Sequence, residues 1–404
     1  MKRVEILDLT KKAIAQTMGA EFMTQVGDLA ALDSYKLADI GKAVTGDDNI
    51  SSLNNNLISL IGKHVLDSKE FKDTIKNINV DSFEWGGFLE RTRIGLGEII
   101  DDPMYNKTVG LDYSAIEHTY YGQDVKSKIF AECKAIMTPM STEKDQLKEA
   151  FNSIEALESY IAARRVQIEN TIKIALHVYK KMLFSCAIAV SDVKNKSAVH
   201  LISEAVALGI INKINEGTAE APVLRNPTYI EVRNNKEFLK YACERIAEIR
   251  DYMKEISTAF NDESIPTWSD TVNVELLADF EKALKFNLKA DTFHKDELGF
   301  GEYEKITSWQ GVVNSTSKEF DPEVLSTVSI AADNGQKLGI GKNAYTKKGV
   351  VALLFDPMAI GMCLYRNKVT SSYTACADFW NTFHHVLVNY LLDDSYGIVA
   401  VIMD

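Results

Sequence analysis

The feature that most constrains this chain is a helical period too long for one compact domain. Across 142–190, Leu147, Phe151, Ile154, Leu157, Ile161, Ile168, Ile172, Leu176, Tyr179 and Leu183 recur at steps of three or four, apart from Arg165. Unbroken, such a helix would run roughly 70 Å at 1.5 Å per residue, where the mean globular helix has about eleven residues. Pro139 precedes the pattern, Thr142 is placed to cap it, and Glu143 and Asp145 suit the helix dipole in the first turn. Arg164-Arg165 marks a break or a solvent-facing turn. A second helix is expected over 198–208, stopping at Gly209.

Just before the helix comes the cleanest strand signal. Val125, Ser127, Ile129, Ala131, Cys133, Ala135 and Met137 fall on one face, with Lys126, Lys128, Glu132 and Lys134 on the other. Alternation this long exceeds the usual strand of about five or six residues. Paired with 91–100, it makes a two-stranded hairpin arm. A lone hairpin is marginal in water, so this one should lie on another surface, that of a neighbouring subunit. The loop between the strands holds Tyr105, Tyr113, Tyr120 and Tyr121, and tyrosine offers apolar area with a polar tip. These four, with Arg91 and Arg93 on the strand leading in, are the candidate intersubunit contacts.

Elsewhere the reading is coarser. Residues 1–82 look like short amphipathic helices, such as NNNLISLIGKHVL, joined by polar loops. Residues 226–344 look like an α/β unit, with YIEVRNN as strand then turn, helices marked by Phe238–Ile256 and Leu276–Leu284, and loops around short strands over 313–344. The last sixty return to strands: GVVALLFD, KVTSSYT, FWNTFHHVLVNYLL and YGIVAVIM. Asp356-Pro357 could open a short helix between the first two. A length of 404 predicts about two to three domains. With 7 prolines and no Gly/Ser-rich linker, they should be interleaved.

Composition excludes more than it includes. Apolar residues make up 46% and charged residues 25%, an ordinary globular balance. There are 57 acidic against 45 basic residues, a net charge of −12, which argues against a protein that grips phosphate backbones. Five scattered cysteines without C-x-x-C point to reduced thiols and an intracellular setting. The start lacks a signal peptide pattern. Met182–Ser191, the longest uncharged apolar stretch, is half of the roughly 20 residues a bilayer needs, so no membrane is expected.

No catalytic constellation emerges. GIGK at 339–342 fails the phosphate-loop pattern, since Gln336 and Asn343 stand where Gly and Ser/Thr belong. IGLGEI lacks the third glycine of a dinucleotide loop. His384 and His385 would point to opposite faces of a strand and could not share a metal. Asp101-Asp102, Asp262-Glu263 and Asp393-Asp394 read as turn formers. No cofactor and no metal are expected.

The order of elements, with RTRIGLGEII leading into the hairpin, KIFAECKAIM returning from it, and GVVALLFDPMAIGMCLYRNKV followed by FWNTFHHVLVNYLLDDSYGIVAVIM at the end, resembles the major capsid proteins of tailed bacteriophages. Among them it is most similar to those of small short-tailed phages. The resemblance implies an α+β fold of the Hong Kong 97 phage type. It would comprise an N-terminal arm (1–82), an extended hairpin loop (83–140), a peripheral domain (141–225 and 345–404) and an axial domain (226–344). It also implies a structural, non-enzymatic protein that assembles into pentamers and hexamers of a viral shell around double-stranded DNA. It would be made in the host bacterial cytoplasm and reside in the virion, with a scaffolding protein and a portal as further partners. An immunoglobulin-like domain after this ending, found in some relatives, would be lacking. An encapsulin-like compartment shell and a soluble α/β enzyme are the alternatives. Acidic net charge suits a container that encloses DNA without holding it tightly.

Overall fold

The computed structural model describes residues 12–16, 18, 75–82, 89–97, 99–100, 102, 113–122, 124–130, 133–143, 154–217, 223–261, 265–288, 301–310, 322–374, 376 and 379–404. Two sheets organise them. The first, of five strands, has the order β5-β15-β12-β8-β9: β5 (Val199–His200), β15 (Ile398–Ile402), β12 (Val350–Phe355), β8 (Asn273–Leu277) and β9 (Glu304–Ile306). β12 runs antiparallel to β15 and β8, while β9 and β5 join in parallel. The runs VVALLF and IVAVI carry no polar residue because every position of β12 and β15 is buried. This sheet draws strands from both sides of position 344/345, so the segments read as separate units share one hydrogen-bonded sheet.

The second sheet has four strands in the order β1-β13-β14-β4: β1 (Asn79–Ser82), β13 (Ile360–Thr374), β14 (Phe379–Leu392) and β4 (Cys133–Glu143). β13 and β14 form a long antiparallel ladder with a register shift between Leu364 and Arg366. On β14, Trp380, Thr382, His384, Val386 and Val388 alternate inward and are buried.

A 36-residue helix, α2 (Ile154–Ala189), ties the sheets together. Its Tyr179 ring meets Tyr390 of β14 at 5.6 Å, and Phe184 meets Phe355 of β12 at 5.7 Å. It ends in one wider π-helical turn, Val190–Lys194. There the hydroxyl of Ser191 accepts from the Ala400 amide at 2.9 Å, fastening the helix end to β15. Helices α5 (Lys236–Tyr252) and α6 (Ala278–Leu288) bury Phe238, Leu239, Ile246, Phe280 and Leu284 in the same core. Smaller pieces are α1 (Tyr113–His118), α3 (Leu201–Ala207), α4 (Tyr229–Val232), α7 (Pro322–Leu325) and α8 (Ala332–Lys337). Among the described residues three two-stranded pairs remain: β2 (Leu89–Ile94) with β3 (Val125–Phe130), β6 (Ile214–Asn215) with β7 (Leu224–Arg225), and β10 (Val328–Ile330) with β11 (Tyr345–Lys347).

Several local expectations are corrected. The alternating segment 125–137 is two strands. β3 (Val125–Phe130) pairs with β2 (Leu89–Ile94), whereas β4 leaves the hairpin for the four-stranded sheet, and residues 95–97 and 99–100 are not strand. Alternation reports which face a residue takes and is silent about which strand it pairs with. Thr142 is no helix cap: it lies in β4 opposite Trp380, and Pro139 is tolerated upstream because β4 is a sheet edge. Residues 144–153 lie outside the described residues. Nothing breaks the helix at Arg164-Arg165. The helix expected over 198–208 is shorter, because 199–200 are strand. YIEV is helix α4: Thr228 and Glu231 form a capping box that overrides the strand preference of its Tyr, Ile and Val. Asp356-Pro357 makes a turn, with the Asp356 carboxylate accepting from the Met358 amide at 2.7 Å. NNNLISLIGKHVL, Asp101, Asp262 and Glu263 lie outside the described residues.

Candidate assembly interface

The β2–β3 hairpin has two unlike faces. Cross-strand pairs set Arg91 opposite Lys128 and Arg93 opposite Lys126, so four basic side chains share one face. The pairs Glu90–Ile129, Thr92–Ser127 and Ile94–Val125 make the other. Burial follows this alternation in the direction opposite to intuition. The basic face is half-buried against the body, and the face bearing Ile94, Val125 and Ile129 is exposed. The exposed apolar surface continues past the strands through Leu96, Ile99 and Ile100, with Ile99 98% exposed, and through Tyr120 and Tyr121.

The basic face turns inward because the β14–β15 turn is acidic. Arg91 Nη1 donates to the Met358 carbonyl at 2.5 Å and lies 3.3 Å from Asp393 Oδ2. Lys128 Nζ donates to Asp394 Oδ1 at 2.7 Å and to the Ser395 hydroxyl at 2.5 Å. Lys194, from the π-helical turn, pairs with the other Asp394 oxygen. Arg93 donates to the carbonyls of Ser395 at 2.5 Å and Pro266 at 3.1 Å. Both guanidinium groups lie over the Tyr396 ring, at 5.7 and 5.3 Å from its centre. The turn itself is held by Asp393, whose Oδ1 accepts from the Ser395 amide at 3.1 Å and hydroxyl at 2.7 Å. Burial pushes the Asp394 carboxyl up, but Lys128 and Lys194 outweigh it and hold it below its ordinary value.

The predicted contact residues therefore separate. Arg91 and Arg93 sit in the stem and hold it to the chain's own body. Tyr120 and Tyr121 lie beyond the strands and are exposed. Tyr113 opens α1, and Tyr105 lies outside the described residues. Sequence reasoning missed Lys128, Lys194 and the Asp393-Asp394 turn as partners. The acidic pair was visible but read as a turn former, and only half of its role is that. Among the described residues no cluster suits a metal ion. His384 is buried with its ring lowered below the ordinary histidine value by burial and by His385, and it points away from His385, which meets Thr370.

Residues 12–402 match the family model of the Phi29-like phage major capsid protein. No curated protein matches the chain. Among solved structures it is similar to the capsid of Staphylococcus phage Andhra, with 12% identity over 80% of this chain and 83% of that one at a TM-score of 0.46. It is also similar to a structure of head fiber and inner core protein gp22 of native bacteriophage P68, with 9% identity over 81% and 83% at a TM-score of 0.46.

Proposed function

The chain belongs to the Phi29-like phage major capsid protein family and is a structural subunit of a viral shell, and from that premise we propose how its copies join. The hairpin lies across a neighbouring subunit, and repetition of that contact closes pentamers and hexamers. A head-to-tail contact of this kind makes rings when its rotation closes. The N-terminal arm, 1–82, reaches a further neighbour, and the shell encloses double-stranded DNA after assembly with a scaffolding protein and a portal. The hairpin loop (83–140), the peripheral domain (141–225 with 345–404) and the axial domain (226–344) are the working parts.

The observation that carries this reading is the inverted hairpin. A strand pair that folded for its own molecule would bury Ile94, Val125 and Ile129 and leave its lysines and arginines in water. This one does the reverse. Its basic face is anchored on its own acidic turn, which turns Ile94, Val125 and Ile129 outward beside Glu90, Thr92 and Ser127, an exposed apolar surface of the kind a second molecule covers. Tyr120 and Tyr121 extend that surface. Arg91 and Arg93 act as its footing.

Deleting 101–124 tests the reading. The strands β2 and β3 and both sheets lie outside the deleted segment, so the subunit should still fold, as judged by circular dichroism and a cooperative melt. Negative-stain microscopy should then show no stable shells where the intact chain makes uniform ones. Normal shells from the deletion would refute the interface.

A further inference from the structure

We propose that the apolar hairpin tip of one copy seats in a cleft of the next copy, between α2 and the β10–α8 corner; this rests on the assembly reading above and adds its receptor. The cleft holds about 1050 Å³. Val178, Met182 and Cys186 of α2, Ile330 of β10, Leu338 after α8 and Tyr390 of β14 are among the residues that line it. Among the described residues of the chain's own hairpin strands β2 and β3, Ile129 and Phe130 are the ones that line it. Ile129 and Phe130, at the foot of the stem, form part of its rim, and the ladder then runs straight to the Ile94–Val125 pair. Four residues of strand at about 3.3 Å each carry the tip roughly 13 Å away before it begins.

Charge selects the occupant. Among the described residues that line the cleft, the charged ones are Lys134 and Lys337, both exposed at its edge, and no carboxylate is present. Lys134 is held over the Tyr179 ring at 5.1 Å. The tip is the complement. Among its exposed Leu96, Ile99, Ile100 and Tyr120 stand Asp102, Glu117 and Asp124, all exposed. An apolar surface dotted with carboxylates thus meets a cleft whose apolar lining is interleaved with Ser185, Gln310, Ser329 and Asn334 and whose charges are two lysines, and such pairing fixes register and disfavours other partners. The exposed face of the stem runs into the cleft at Ile129, so a seated tip and the stem of the receiving copy would bury one continuous surface.

Disulfide trapping tests this. Cys186 is a half-buried thiol in the cleft that forms no disulfide in the subunit. Shells assembled from an Ile99→Cys chain are oxidised with copper–phenanthroline and run on non-reducing gels. A ladder of covalent multimers is expected, collapsing to monomer with reductant and disappearing when Cys186→Ser is added. Intact shells without a ladder, or with one that survives Cys186→Ser, place the tip elsewhere and overturn the cleft while leaving assembly standing. Failure of the unaltered chain to form shells, with or without scaffolding protein, sinks the assembly reading and this inference with it. As a second measurement, Lys337→Glu changes only an exposed side chain. It should lower shell yield at least severalfold at low salt, and unchanged yield counts against the seat.

Discussion

Removing the charge at Asp393 should free the hairpin without unfolding the body. Its side chain is only 3% exposed, and its two oxygens serve different elements. Oδ1 holds the Ser395 amide and hydroxyl, while Oδ2 faces Arg91, and Lys128 lies 3.6 Å from Oδ1. Asp393→Asn keeps the turn acceptor and loses the charge. Because Arg91 and Lys128 are partly solvated and keep other partners, this costs about 1–1.5 kcal/mol. Asp393→Ala also strands the Ser395 amide and hydroxyl, raising the cost to about 3–4 kcal/mol. With about 1.4 kcal/mol per tenfold, hydrogen exchange of the β2 and β3 amides should quicken roughly tenfold in Asp393→Asn and roughly 10²–10³-fold in Asp393→Ala. Amides of β12 and β15 should change far less, since their ladder does not pass through the turn. Uniform acceleration over the whole chain in Asp393→Ala would show that Asp393 supports the core. Unchanged hairpin exchange in both variants would refute the anchoring argument.

Other predictions follow from buried titrating groups and packing. Glu275, 1% exposed, is pushed up to about 8 by burial, against a lowering hydrogen bond from Asn77 at 2.9 Å. Its folded value exceeds the unfolded one, so stability is lost as pH rises from about 4.5 toward 8, roughly 3 kcal/mol by pH 7. Glu275→Gln keeps the Asn77 contact and should stabilise at pH 8 but little at pH 5, measured by urea midpoints; equal effects at both would contradict the assignment. His200 is held above the ordinary histidine value by its hydrogen bond to Asp404, with burial opposing. Its contribution is therefore full below about 6.5 and fades as pH rises through the folded value, so His200→Gln should flatten that part of the melting-temperature profile. Asp394 works the other way: its lowered carboxyl stabilises above about 4 and is lost in acid, so hairpin exchange should accelerate below that pH. Phe184→Ala, which empties space beside Phe355, should cost about 3–5 kcal/mol in chemical denaturation.

Much of the hairpin was legible in the sequence, and its energetic sense was not. Alternation placed Lys126 and Lys128 on one face and Val125 and Ile129 on the other. Which face turns outward depends on the Asp393-Asp394 turn, more than 260 residues away along the chain, and no local pattern carries that information. The same limit split 125–137 between two partners. In YIEV the information was local: Thr228 and Glu231 form a capping box that outweighs the strand propensity of Tyr229, Ile230 and Val232.

By itself the sequence determined the α+β class, the long helix, the buried terminal strands and the family likeness. These follow from periodicity and burial, which each segment expresses on its own residues. Only the tertiary structure decided that β8 joins β12 and β15 in one sheet, that β4 leaves the hairpin to become an edge, and that Arg91, Arg93 and Lys128 serve as footing while the apolar face is left bare. Those outcomes depend on contacts between segments far apart in the chain. There, hydrogen-bond partners and opposite charges are chosen by competition across the whole fold.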